Sequence, residues 1–213
     1  NGGDVLRTTG EIRAANTFSQ AAGTIAQLNI DGTGSVTISQ TGGTIGNLLF
    51  THAHGGSAQS RILGSDFTVT GNLTVAIPGG EDESVLADAT SRTIFVSGNF
   101  SLTGGFFGNT TASPNITLQF TGANAQTYSH TAGTLRVNIA VNKSAQFVNL
   151  STALSMPSGR SLSILAGILN LNGQTWTMTS VSFSNDGTLQ LFGNETINGL
   201  TTNDTYSGTW HYR

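Results

Sequence analysis

The stretch Phe18-Ser19-Gln20-Ala21-Ala22-Gly23-Thr24-Ile25 returns as Ile38-Ser39-Gln40-Thr41-Gly42-Gly43-Thr44-Ile45, and again as Tyr128-Ser129-His130-Thr131-Ala132-Gly133-Thr134-Leu135. The first two copies begin 20 residues apart. Recurrence at a period of this size marks a chain of stacked, equivalent units, each too small to bury its apolar face alone. Within each copy, small residues and Gly supply a bend, and Thr followed by an aliphatic opens the next extended segment. The polar third position is Gln twice and His once. That tolerance speaks for stacking rather than for a repeated binding site.

Outward from the octad, the chain alternates. Phe67-Thr68-Val69-Thr70, Leu73-Thr74-Val75, Ile116-Thr117-Leu118-Gln119-Phe120 and Leu189-Gln190-Leu191 each place Thr, Ser, Asn or Gln between apolar residues. Period-two alternation is the pattern of a strand with one buried face. Helical spacing of apolar residues is almost missing, and Gly or β-branched residues interrupt nearly every window. Glycine opens many of the strands. Gly167-Ile168-Leu169 is echoed by Gly187-Thr188-Leu189 and by Gly208-Thr209-Trp210, and Gly71-Asn72-Leu73 by Gly98-Asn99-Phe100.

The expected fold is therefore all-β: a single-domain, right-handed parallel β-helix (β-solenoid) over residues 1–213, with about 20 residues per coil. A contour of roughly 65 Å per coil suffices for three short sides and their corners at about 3.3 Å per residue. The acidic run after Pro78-Gly79-Gly80 is expected to form a loop insertion near residues 78–91. A β-sandwich would also use short, evenly spaced strands. It would not explain one octad recurring at 20 residues and again near residue 130.

Composition limits the function classes. Charged residues are 9% of the chain, and the net charge is −3. Ordinary soluble domains carry about 25% charged residues, so this surface is polar but nearly uncharged. No Lys/Arg cluster supplies phosphate contacts, which argues against nucleic acid as a partner. Cysteine is absent, removing disulfides, thiolate zinc sites and thiol catalysis together. No stretch has the 18 or so apolar residues of a membrane helix, so no membrane insertion is expected. The first residues, Asn1-Gly2-Gly3-Asp4, carry no Met and no signal pattern, and read either as a mature form whose targeting segment has been removed or as a chain expressed without one.

A resemblance extends this reading. Ile116-Thr117-Leu118-Gln119-Phe120-Thr121-Gly122-Ala123-Asn124-Ala125-Gln126-Thr127 is followed by Leu135-Arg136-Val137-Asn138 and Val141-Asn142-Lys143-Ser144. Leu162-Ser163-Ile164-Leu165-Ala166-Gly167-Ile168-Leu169-Asn170-Leu171-Asn172-Gly173 comes next. This order resembles the repeats of large secreted bacterial surface proteins and the passenger regions of adhesins and autotransporters. The likeness is close over a little under half the chain. It implies an extracellular β-solenoid on the bacterial cell surface or released from it. It carries no catalytic motif, so it transfers no site residue.

Few residues suggest chemistry. His52 and His54 would share one side of a strand and could meet a metal, but no third ligand lies nearby. Glu81-Asp82-Glu83, with Asp88 beyond, could offer oxygen ligands to Ca²⁺, although the spacing matches neither an EF-hand nor the nonapeptide calcium repeat. A solvated loop is the simpler reading. Thr68-Val69-Thr70 and Thr175-Trp176-Thr177-Met178-Thr179 resemble the Thr rows of ice-binding solenoids, yet two instances in a Thr-rich chain read more simply as outward strand positions. Asn-x-Ser/Thr sequons stand at Asn72, Asn99, Asn109, Asn115, Asn142, Asn149, Asn194 and Asn203. No catalytic, metal or cofactor residue is assigned, and no enzyme activity is expected.

The ends carry the functional expectation. A solenoid has open coil edges, and monomeric ones cover them with a polar helix or an irregular cap. Neither terminus shows an amphipathic helix. Segments 4–13 and 206–213 alternate like further strands, so Val5, Leu6, Ile12, Tyr206, Trp210 and Tyr212 are expected to make subunit contacts. Strand addition there would be head-to-tail and open-ended. The expected function is an extracellular structural subunit that self-associates into a filament or forms an adhesin stalk. The rival is a carbohydrate-binding or polysaccharide-degrading β-helix, with cell-surface glycans as partners.

Overall fold

The computed structural model describes residues 11–12, 17–30, 35–51, 59–78, 83–200 and 207–213, and of residues 11–12 it gives the backbone. Among them there is no helix. The chain is a β-solenoid of about 8 turns with roughly 22 residues per turn. Strands pair in parallel with strands one coil away, as Thr17–Gln20 with Val36–Gln40 and Phe100–Phe107 with Gln126–Leu135.

Each coil has three sides. Side one stacks Thr17–Gln20, Val36–Gln40, Ser60–Leu63 and Ser84–Ala87, then the last residues of Phe100–Phe107 and of Gln126–Leu135. Side two runs through Phe67–Val69, Arg92–Val96 and Ile116–Phe120, and on into the first halves of Asn138–Leu150 and Ser161–Asn170. Side three ends on Thr188–Leu191 and Thr209–Tyr212. On side one the ladder breaks after Leu135. Leu154–Ser155, Trp176–Thr177 and Ile197–Asn198 form a separate three-stranded sheet.

Alternation within strands puts apolar residues inside, and parallel register then stacks them into columns along the axis. On side three the column runs Leu28, Leu48, Leu73, Phe100, Tyr128 and Leu150. All six are buried. The rings of Phe100 and Tyr128 lie 5.6 Å apart. Each buried aliphatic contributes roughly 1.5–3 kcal/mol relative to exposure, so a column of this kind holds its coils together without any local propensity.

Coil length varies at the corners. The step is 20 residues from Ile30 to Phe50, 25 from Phe50 to Val75 and 27 from Val75 to Leu102. The extra residues enter where the chain turns, so the inward columns stay in register. The stretch 78–91, expected as an inserted loop, is regular in part. Ser84–Ala87 is a strand of side one, paired with Ser60–Leu63 through inward Val85 and Ala87. Its alternation, Val85 and Ala87 against Leu86 and Asp88, was overshadowed by the acidic run before it.

The octad is a corner, as its small residues indicate, but not one corner. The first two copies join side one to side two. The third joins side three to side one, since Tyr128 stacks on Phe100 and Leu135 on Phe107. The local geometry is nonetheless shared. Gly23, Gly43 and Gly133 have φ of 79°, 78° and 89°. A Cβ on Gly43 would stand 2.4 Å from the Gly23 carbonyl oxygen, so only glycine fits there. The polar residue three positions earlier closes the bend: Gln20 Nε2 donates to Gly23 O at 3.1 Å and Gln40 Nε2 to Gly43 O at 3.3 Å. His130 Nε2 lies 3.2 Å from Gly133 O in the same way.

Candidate functional site

Two places on this frame have features that stacking alone does not require: the axial ends, and a cleft on side one. Among the described residues the interior columns lose a neighbour at the ends. Four hydrophobic residues are only partly buried against the core: Phe18 in the first described coil, and Ile197, Leu200 and Trp210 in the last. Trp210 continues an aromatic run, with Trp176 and Phe183 rings 5.2 Å apart and Phe183 and Trp210 rings 6.4 Å apart, both edge to face. Large exposed hydrophobics among the described residues are Leu165, Phe192 and Tyr212, all in the last three coils, and Tyr212 is 66% exposed. Strand Thr209–Tyr212 pairs with Thr188–Leu191 along one edge, and among the described residues no strand pairs with its other edge. A cavity of about 150 Å³ sits at the opposite end, lined by Phe18, Gln20, Ile25 and their small neighbours.

Of the expected contact residues, Trp210 and Tyr212 thus lie together on the last strand. Glu11–Ile12 forms a parallel pair with Asn29–Ile30, which among the described residues places Ile12 in the first strand of the other end. Val5, Leu6 and Tyr206 lie outside the described residues, as do His52, His54, Glu81 and Asp82.

The second place is a cleft of about 320 Å³ on the outer face of side one, where Ser84, Leu86 and Phe106 meet Arg136 and the loop at Asn109–Thr111. Its floor follows from register. Phe106 stacks on Ser84, and the next outward row reads Leu86, Gly108, Arg136. Gly108, with φ of 107°, brings no side chain to that row; the place a Cβ would take is filled by the Arg136 carbonyl, 2.1 Å away. The Arg136 guanidinium lies 4.5 Å over the Phe106 ring. The loop wall is pinned from behind. Asn109 accepts from Ala87 N–H at 2.8 Å and donates back to Ala87 O at 3.2 Å. Arg160 donates to the carbonyls of Asn109 and Thr111.

Three cations that look like scattered surface charges in the sequence, Arg61, Lys143 and Arg160, are buried. Arg61 occupies the inward row of side one between Val36 and Val85, and its Nη2 lies 3.5 Å from Glu83 Oε2. Glu83 is 1% exposed, so the expected calcium ligand or solvated loop residue is the inward half of a buried ion pair. Its companion Asp88 is tied to Arg92 at 2.6 Å, and that bond holds the Asp88 carboxyl below the usual range. Lys143 points inward at the corner between sides two and three. Its Nζ donates to Asn124 O at 2.8 Å and Gln126 Oε1 at 2.6 Å, with Gly122 O at 3.1 Å and Thr121 O at 3.3 Å. Burial pulls its pKa below the ordinary lysine value. Gln126 passes the bonding on, donating to Val96 O at 2.9 Å.

Several sequons are likewise absorbed by the fold. Register places Gln27, Asn47, Asn72, Asn99, Thr127, Asn149, Asn170 and Gln190 in one row along the axis. Asn47, Asn72 and Asn99 each accept, through Oδ1, the backbone N–H of the next coil at 2.8 Å. Asn170 Nδ2 donates to Asn149 Oδ1 at 2.8 Å. The Thr row of an ice-binding face does not form at Thr68, because Phe95, Gln119 and Ala140 follow it in register.

No family model, curated protein or solved structure matches this chain.

The parity of Ser60-Arg61-Ile62-Leu63 could have placed Arg61 inside, since it shares a face with Leu63. Nothing in sequence order could have joined Arg136, Phe106 and Ser84, which come from three successive coils.

Proposed function

We propose that this chain is a non-enzymatic structural module of a secreted bacterial surface protein, adhesin-like in kind, that stacks end to end with a second copy. The observation that carries the reading is the state of the last coil. Trp210 is incompletely covered, Tyr212 is exposed, and their strand has a free hydrogen-bonding edge among the described residues. A parallel coil edge is satisfied by another strand, and its inward column by another apolar residue. The opposite end offers Phe18 and the cavity beside it as the receiving surface. The row of amide side chains supports continuation, because Asn47, Asn72 and Asn99 each bond to the coil beyond. Low charge removes the repulsion that identical copies would otherwise feel.

Sedimentation velocity over a concentration series, with electron microscopy of the same samples, tests the reading. The wild-type chain is expected to form end-to-end oligomers that grow with concentration. The Trp210→Ser/Tyr212→Ser double variant is expected to sediment as a monomer with an unchanged β spectrum. A wild-type chain that stays monomeric throughout, with its β signal intact, overturns the proposal.

A further inference from the structure

The cleft on side one plays no part in end-to-end stacking, and its chemistry is specific. Arg136 is the only charged residue among those lining it. The guanidinium carbon lies 4.5 Å over the Phe106 ring, which holds the cation at the cleft. Among the described residues no carboxylate pairs with Arg136. Arg160 stands behind the loop wall, and its pKa is pulled down first by burial and then by the neighbouring Arg136 charge. The two cations therefore repel each other, which makes this a locally positive spot on a chain of net charge −3.

We propose that this cleft binds a carboxylate-bearing sugar residue, with Arg136 taking the carboxylate and the hydroxyls of Ser84, Thr110 and Thr111 taking the ring hydroxyls. A planar guanidinium matches a carboxylate through two parallel N–H bonds, a geometry a lysine does not offer. The volume of about 320 Å³ is at the small end of ligand sites, suited to one sugar ring rather than to a nucleotide or a peptide. Thr110 and Thr111 are exposed, so the flanking sugars of a polymer have room to leave the cleft. Leu86 and Phe106 give the ring an apolar floor beside Arg136. Arg160 acts as a positioning residue, fixing the Asn109 and Thr111 carbonyls and hence the wall.

The test is a titration of the full chain, followed by amide NMR, with a trigalacturonide and with the neutral galactose trisaccharide. Saturable shifts of Thr110, Thr111 and Arg136 are expected with the uronide, with a dissociation constant on the order of 1 mM or below. The neutral sugar should bind at least about tenfold more weakly, and salt should weaken the uronide alone. Arg136→Gln should abolish uronide binding, and Arg136→Lys should retain only part of it. Both variants should melt close to the wild-type temperature, which separates lost binding from lost fold. Absence of saturable shifts up to about 10 mM uronide overturns the proposal. So does equal binding of the neutral sugar, or equal binding of acetate.

Discussion

Gln40 Nε2 donates to Gln20 Oε1 at 3.0 Å, directly across one coil step. Each of these side chains also closes its own bend onto the glycine three residues later, and Gln40 Oε1 accepts the backbone N–H of Thr68 at 2.6 Å in the coil beyond. The octad is therefore both a bend and a staple. It spends a buried amide on neighbours within its own coil and on both sides.

This arrangement sets the cost of losing it. Gln40→Ala removes the donor to Gln20 and strands the Thr68 N–H, and should destabilise the chain by about 2 kcal/mol in urea melts. His130→Gln restores the residue that the other copies use for the same bond, and should stay within about 0.5 kcal/mol of wild type. A large loss in the second variant would mean that His130 does something the bend does not require.

Arg61 and Glu83 should show the asymmetry of a buried pair. Glu83→Gln leaves the Arg61 charge inside and should cost about 3–5 kcal/mol, whereas Arg61→Met/Glu83→Leu should recover much of that loss. A double-mutant cycle by chemical denaturation reads the coupling directly.

Lys143 and Tyr128 give the molecule an alkaline signature with two limbs. Lys143 is the only lysine in the chain, and its pKa is lowered by burial from 10.5. Between the lowered value and 10.5 the unfolded chain holds more protons than the folded one, so stability should rise with pH across that window. Tyr128 is shifted upward from 10.0 by burial. Above that pH the unfolded chain gives up the phenolic proton first, so stability should fall as pH rises further. Thermal melts from about pH 8 to pH 12 check both limbs. Lys143→Met should flatten the rise, and Tyr128→Phe should remove the fall. The same burial predicts that an amine-reactive ester labels the native chain at its N-terminus and leaves Lys143 intact until the protein unfolds, as intact mass would report.

Asn99 tests the amide row. Asn99→Ala removes the acceptor for Thr127 N–H and should cost about 1 kcal/mol, since that bond lies where water can partly replace it. Asn142 is exposed and outside the row, so Asn142→Ala should be close to neutral in the same melts.

Much of the architecture was legible because a parallel coil repeats a short local rule. Leu73-Thr74-Val75 and Leu189-Gln190-Leu191 announce their buried faces by alternation, and Gly23 and Gly43 announce their bends. Ser84–Ala87 was obscured because the acidic residues before it dominate the composition of that stretch. Arg61, Lys143 and Arg160 were misleading for a related reason. A cation in a charge-poor chain looks like surface, yet these three lie inside, where carbonyls or a carboxylate compensate them.

By itself the sequence determined the strand alternation, the glycine bends and the fact of stacking, since these depend on residues a few positions apart. Which residue lies on which was decided by the tertiary structure. Corners absorb variable numbers of residues, from a step of 20 to one of 27, so register cannot be counted along the chain. That register sets Gln40 on Gln20, lines up the amide row and opens the cleft between Leu86 and Arg136. The physical reason is that side-chain columns are fixed by packing along the axis, at right angles to the direction in which the sequence is written.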